Sequence, residues 1–203
     1  MKKIMFNDRY GLTQAVIEGR KTITRRVLSG YPLTLSDRIE DASVRPDGSI
    51  SIIANGGESL MEVKCRYRIG EIVAVAQSYR DVSAECFEPD ASILRTPELQ
   101  RLAGWANKMF TKAELMPHRI LITGIRCERL QDISYADCLK EGIRPSFSES
   151  VGIGKYGYID DRGTGLWFDT PRAAFASLID KVSGKGTWDG NPWVFVYEFE
   201  LLG

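Results

Sequence analysis

Residues 193–201 read WVFVYEFEL, and no other stretch narrows the possible folds as much. Trp193, Phe195, Tyr197, Phe199 and Leu201 alternate with Val194, Val196, Glu198 and Glu200. A period of two over this length puts the large apolar side chains on one face of a β-strand, and that face needs a sheet and a core to cover it. Other segments supply strand partners. Arg45-Pro46-Asp47-Gly48 is a turn signal leading into Ile50, Ile52 and Ile53, and LMEVKCRYRIGEIVAVA offers two strands broken at Gly70. A further strand is expected from Arg119 to Ile125. These pieces predict antiparallel sheet.

Helical signals fall between the strands. Leu12, Ala15 and Val16 follow helical spacing and Gly19 is a natural terminator. Ser134 precedes Asp137 by three residues, as in a capping box with Asp in place of Glu, and Gly142 can close that helix with Glu141 in its last turn. Thr170-Pro171 makes a good helix start, followed by an apolar stripe of Phe175, Leu178, Ile179 and Val182. Two segments lack a period, about 80–113 with Pro89 and Pro97 and the glycine-rich 144–169, and both read as loop-rich insertions. There is no internal repeat and no sharp break in composition, so residues 1–203 are expected to form one α+β domain.

Composition excludes several classes. Apolar residues at 43% and charged ones at 27% suit a soluble chain, and no window approaches the roughly 18 uninterrupted apolar residues of a membrane span. Asn7, Asp8 and Arg9 arrive before a signal-peptide hydrophobic stretch can build up, so the expectation is a cytoplasmic protein with no membrane partner. Cys65, Cys86, Cys127 and Cys138 are scattered without a CxxC pair, which argues for reduced thiols. With a single histidine as well, no ligand spacing closes a metal site, and neither metal nor cofactor is expected. Basic and acidic residues balance at 27 each, which argues against indiscriminate coating of nucleic acid. The balance is local rather than uniform, because residues 1–30 hold seven Lys or Arg against two carboxylates.

Gly19-Arg-Lys-Thr-Ile-Thr-Arg-Arg26 is the richest stretch for chemistry, with four cations and two hydroxyls just past a helix stop. A solvated basic turn is one reading. The other is an anion or nucleotide cradle, in which Arg20, Arg25 and Arg26 hold phosphate or carbonyl oxygens and a turn brings Lys21 and Thr24 to one side. A hydroxyl beside an amine suits nucleophilic catalysis, provided burial and neighbouring arginines pull the lysine below its ordinary value near ~10.4. His118 lacks a nucleophile elbow around it and reads as structural. Gly152, Gly154 and Gly157 match GxGxxG, yet no strand precedes them and no helix follows, so a dinucleotide site is not expected.

GRKTITRR, YRIGEIVAV with Tyr79 after it, LMPHRILITGIRCERLQDIS, CLKEGI and GTWDGNPWVFVYEFEL together resemble an ASCH domain of the larger kind common in phage and prophage proteins. The resemblance covers residues 1–26, 66–79, 114–143 and 170–202, and it implies a PUA-like β-barrel with surrounding helices and a cleft for a nucleoside, nucleotide or RNA. Small ASCH proteins hydrolyse N4-acetylcytidine with a lysine and a threonine of G-R-K-T-x-T and a later glutamate. By that resemblance Lys21 is the base, Thr24 the nucleophile and Glu141 assists proton transfer, while Arg20, Thr22, Arg25, Arg26 and Tyr79 bind the nucleotide. Gln77 stands where many larger relatives carry an acidic residue. Two alternatives stay open: a non-catalytic reader of RNA or a modified base, with Tyr79, Trp105 or Trp188 stacking on the ring, and a phage accessory protein that binds an unknown host protein through apolar patches on its insertions.

Overall fold

A computed structural model of the protein describes residues 1–28, 39–45, 49–54, 59–82, 100–147, 150 and 153–202. In chain order the first elements are β1 (Lys3–Ile4), α1 (Leu12–Ile17), β2 (Ile23–Val27), β3 (Ile39–Val44), β4 (Ser49–Ala54), β5 (Ser59–Lys64) and β6 (Ile72–Val75). They are followed by α2 (Tyr79–Val82), β7 (Arg119–Arg129), α3 (Tyr135–Lys140), β8 (Arg144–Pro145), β9 (Tyr156–Ile159), β10 (Gly165–Phe168), α4 (Pro171–Ser183) and β11 (Trp193–Leu202). The fold is mixed α+β.

The alternating C-terminal segment becomes β11, an inner strand of a five-stranded sheet ordered β1-β6-β7-β11-β2. It pairs antiparallel with β7 along its whole length and with β2 from Ile23 to Val27. Only β1 runs parallel to its neighbour, β6. Glu198 lies opposite Gly124 and Phe199 opposite Ile122, so Thr123 is an extra residue that bulges β7. The expected single apolar face holds only towards the C-terminal end, where exposed Glu198 and Glu200 flank buried Phe199. Val194, Phe195, Val196 and Tyr197 are all buried, because core packs on both sides of the strand there. Alternation in sequence reported side-chain size at these positions, not exposure.

Two smaller antiparallel sheets attach to this one, β3-β4-β5 and β10-β9-β8. The first carries the expected strands around Ile50–Ile53; the tip of its turn, residues 46–48, lies outside the described residues. The second corrects the reading of 144–169 as aperiodic. Glycine in that segment reflects close packing as well as turns. A Cβ at Gly157 would stand 1.9 Å from the Leu166 carbonyl oxygen, and one at Gly165 would stand 2.3 Å from Nε1 of Trp167. Strands β9 and β10 therefore need glycine at positions where propensity counts against a strand. No helix follows Gly157, so the GxGxxG pattern does not open one; Gly152 itself lies outside the described residues. Of the segment 80–113, residues 83–99 lie outside the described residues; the remainder holds the end of α2 and a 3₁₀ turn at Lys108–Phe110.

The helices start and stop where the sequence signals stand. Thr170 caps α4 by accepting from the Ala173 N–H at 3.1 Å, with Pro171 in the first turn. Ser134 caps α3 by accepting from the Asp137 N–H, also at 3.1 Å, and Gly142 leaves the helix with a φ of 106°. The box is half used, because the Asp137 carboxylate turns to Arg25 and Arg126 instead of back to Ser134. Replacing Ser134 with alanine should therefore cost about 1 kcal/mol, the value of one cap bond, in urea unfolding; a cost near zero would mean that the cap does not hold α3.

Candidate functional site

Downstream of α1 the chain is pinned before it reaches β2. Gly19 takes a φ of 70°, and the N–H groups of Arg20 and Lys21 both donate to the Ala15 carbonyl, at 2.9 and 2.8 Å. The Thr22 N–H then reaches the Lys140 carbonyl at the end of α3 at 3.0 Å, while its own carbonyl accepts from Phe199 in β11 at 2.9 Å. The motif is thus a connector running into a strand, not the expected turn, since pairing with β11 draws Ile23 onward into the sheet. Lys21 stands before the strand and Thr24 within it, opposite Tyr197.

Lys21, Thr24 and Glu141 nevertheless border one cavity of about 460 Å³, inside the usual range for small-molecule sites. Its remaining wall is largely apolar, with Phe6 and Leu12 near the start of the chain and Phe175, Leu178, Ile179 and Val182 from α4, closed by the loop after that helix. The α4 stripe therefore both packs the core and lines the site.

Charge in this cavity is buried and ordered. Lys21 and Glu141 are 2% and 4% exposed and form an ion pair through Nζ and Oε2. Lys21 Nζ also donates to the carbonyls of Ile23 and Glu141, each at 2.9 Å. Burial pulls the Lys21 ammonium below its ordinary value; Glu141 opposes the shift, and Arg26 and Arg25 add to it. Thr24, also buried, has no side-chain hydrogen bond among the described residues, so its hydroxyl is available to whatever occupies the cavity.

Arg25 also lines the cavity. Its guanidinium is engaged by three carboxylates: Glu128 at 3.0 and 2.6 Å, Asp137 at 2.8 Å and Glu141 at 3.2 Å. Arg126 extends the network to Glu128, Asp137 and Glu198. Arg25 thus orients Glu141, with most of its N–H donors already taken by carboxylates. No local pattern marks Glu128 or Asp137 as partners; the pairing of β2 and β7 on either side of β11 brings them to Arg25.

The other expected residues divide. Arg26 lines the cavity, whereas Arg20 pairs with Glu18 on the surface and Thr22 lines a separate shallow hollow. Tyr79 does not line the cavity. It is buried in a satellite cluster with Val82, Ala113 and Met116, and its hydroxyl accepts from the Lys112 N–H at 3.0 Å. Trp105 packs against that cluster, and Trp188 packs edge-on against Phe175. Gln77 is buried, and its Oε1 lacks a hydrogen-bond partner among the described residues. His118 stands away from the cavity, its carbonyl accepting from Val75 at 2.9 Å.

Cys138 is a free thiol, and Cys86 lies outside the described residues. Burial raises the Cys138 thiol to about 11, which makes it a poor nucleophile. Among the described residues no group of three or more His, Cys, Asp or Glu is arranged to hold a metal ion, and no helix is long and apolar enough to cross a membrane. In comparison with known proteins, no family model matches the chain, and no curated protein or solved structure matches it.

Proposed function

We propose that this protein is a cytoplasmic nucleotide- or RNA-binding protein of the ASCH kind, with a PUA-like barrel, and that it hydrolyses N4-acylated cytidine. The supporting observation is the shared cavity, where a buried lysine–glutamate pair and a threonine hydroxyl without a partner among the described residues meet beside an apolar wall. In this scheme the Thr24 oxygen attacks the acyl carbon and its proton passes to neutral Lys21. Collapse of the tetrahedral intermediate breaks the C–N bond as the N4 nitrogen takes a proton. Water then cleaves the threonyl ester, releasing the carboxylic acid and restoring the hydroxyl. Glu141 orients Lys21 and can share its proton.

A neutral lysine keeps two N–H groups, so one of the three bonds that Lys21 makes must be given up for it to act as a base. The rate should rise with pH as Lys21 deprotonates. Because burial lowers its pKa, the rise should level off below the ordinary lysine value near ~10.4. Release of cytidine and acetate from N4-acetylcytidine, followed as a function of pH, tests both statements. A rate that falls over the same interval would exclude Lys21 as the base.

One observation favours a second reading. As an ammonium, Lys21 already has an acceptor for each of its three protons, the state of a charge that positions its surroundings. A non-catalytic reader would bind acylated cytidine and release nothing. Failure of both binding and turnover would instead direct attention to a protein partner for exposed Phe147 and Ile153 on the second insertion.

A further inference from the structure

Arg25 and Arg26 are neighbours in sequence with opposite surroundings. Arg25 holds three carboxylates, whereas Arg26 has none as an ion-pair partner among the described residues. Its guanidinium donates to the Met5 carbonyl at 2.5 Å and lies 5.7 Å from the centre of the Phe6 ring. Arg26 is half-buried, and a partly desolvated guanidinium without a bonded counter-ion is stabilised when an anion joins it. Burial lowers its pKa; Tyr67 and Glu141 oppose the shift, and nearby Arg66 adds to it.

Arg26 and Val27 form a wall between the first cavity and a second of about 340 Å³. Lys64 and Arg66 border this second hollow, and neither has an ion-pair partner among the described residues. Its aromatic side consists of Tyr67, Phe195 and Tyr197, with the Tyr67 and Tyr197 rings edge-on at 5.2 Å. Burial raises both phenols, Tyr197 to about 12, so they add no negative charge at neutral pH. No carboxylate lines the cavity among the described residues; nearby Glu71 is held outside it by Lys2 and the Arg68 N–H. Three cations beside an aromatic wall, with no anion among them, suit a phosphate joined to a sugar or base.

The geometry points to this second cavity as a phosphate site, filled by the phosphate of a nucleotide whose acylated base lies across Arg26 in the first cavity. The phosphate half stands on the chemistry of the second cavity alone; the nucleotide half rests on the reading given under Proposed function. Lys64 and Arg66 thereby become specificity residues that select a nucleotide over a nucleoside.

Thermal melting in sodium phosphate against sodium chloride at equal ionic strength tests the first half. The wild type should melt higher in phosphate, and the Lys64→Ala/Arg66→Ala double variant should lose that rise; both residues are exposed, so the fold should tolerate the change. No phosphate-specific rise, or one that survives in the double variant, overturns the site. Calorimetric titration with cytidine, cytidine 5′-monophosphate and a short oligocytidylate tests the second half. The monophosphate should bind at least about tenfold tighter than cytidine, from one or two charge-assisted bonds, and the ratio should fall towards one in the double variant. Equal wild-type affinities overturn the nucleotide half. An oligonucleotide that binds tighter than the monophosphate assigns the phosphate to an RNA chain, and the reverse order assigns it to a free nucleotide. Phosphate protection without turnover of acylated cytidine keeps this site and removes the hydrolase reading, whereas turnover without protection does the opposite.

Discussion

Glu141→Ala is expected to destabilise the protein by about 3–5 kcal/mol, whereas Lys21→Met should cost clearly less. The difference comes from who is left without a partner. Removing Glu141 strands the buried Lys21 ammonium, whose only ion-pair partner among the described residues is that carboxylate. Removing Lys21 leaves Glu141 still bonded to Arg25 at 3.2 Å. Adding Lys21→Met to Glu141→Ala should recover much of the loss, because Arg25 keeps Glu128 and Asp137. The stability of Glu141→Ala should also depend on pH. Burial lowers the Lys21 pKa in the folded state and Glu141 no longer opposes the shift, so the unfolded chain binds the extra proton. Stability then rises with pH between the lowered folded value and the ordinary value near ~10.4, and the deficit is largest below that window. Denaturant unfolding followed by the fluorescence of the four tryptophans measures these quantities. Equal costs for the two single variants, or no recovery in the double, would show that the pair does not carry the charge balance of the cavity.

Thr24→Ala should lower hydrolysis of N4-acetylcytidine by roughly 10³-fold or more, the scale seen when an attacking group is removed, and change stability by about 1 kcal/mol or less. The contrast follows from the hydroxyl itself: it borders the cavity and holds no bond within the described fold, so its loss strands no partner. Thr24→Ser keeps an attacking oxygen and should retain measurable turnover. Full activity in Thr24→Ala would remove the covalent scheme, and unchanged binding with no turnover in the wild type would leave a reader of modified cytidine. Together with Glu141→Ala, this variant separates chemistry from scaffold, because one substitution should act on rate and the other on folding.

Elements with strong local signals were legible in the sequence. The β11 pattern, the break at Gly70, the Ser134 and Thr170 caps and the closure of α3 at Gly142 all depend on a few adjacent residues, and all stand where they were read. Strands β9 and β10 were not legible, because their glycines answer to neighbours that only the folded chain supplies. Tyr79 illustrates the same limit. An aromatic residue after a strand gives no local sign of whether it faces a cleft or a satellite core, and here it is buried in the core.

For the site, residue types alone singled out the basic motif with Lys21 beside Thr24, and the resemblance to ASCH domains added Glu141. Tertiary structure decided what each of them touches. It set Lys21 against Glu141, tied Arg25 to three carboxylates and left Arg26 between two cavities with no ion-pair partner among the described residues. Helix caps and strand periods are written in neighbouring residues, whereas the state of a buried charge depends on burial and on partners far off in sequence, as Glu141 is more than a hundred positions from Lys21.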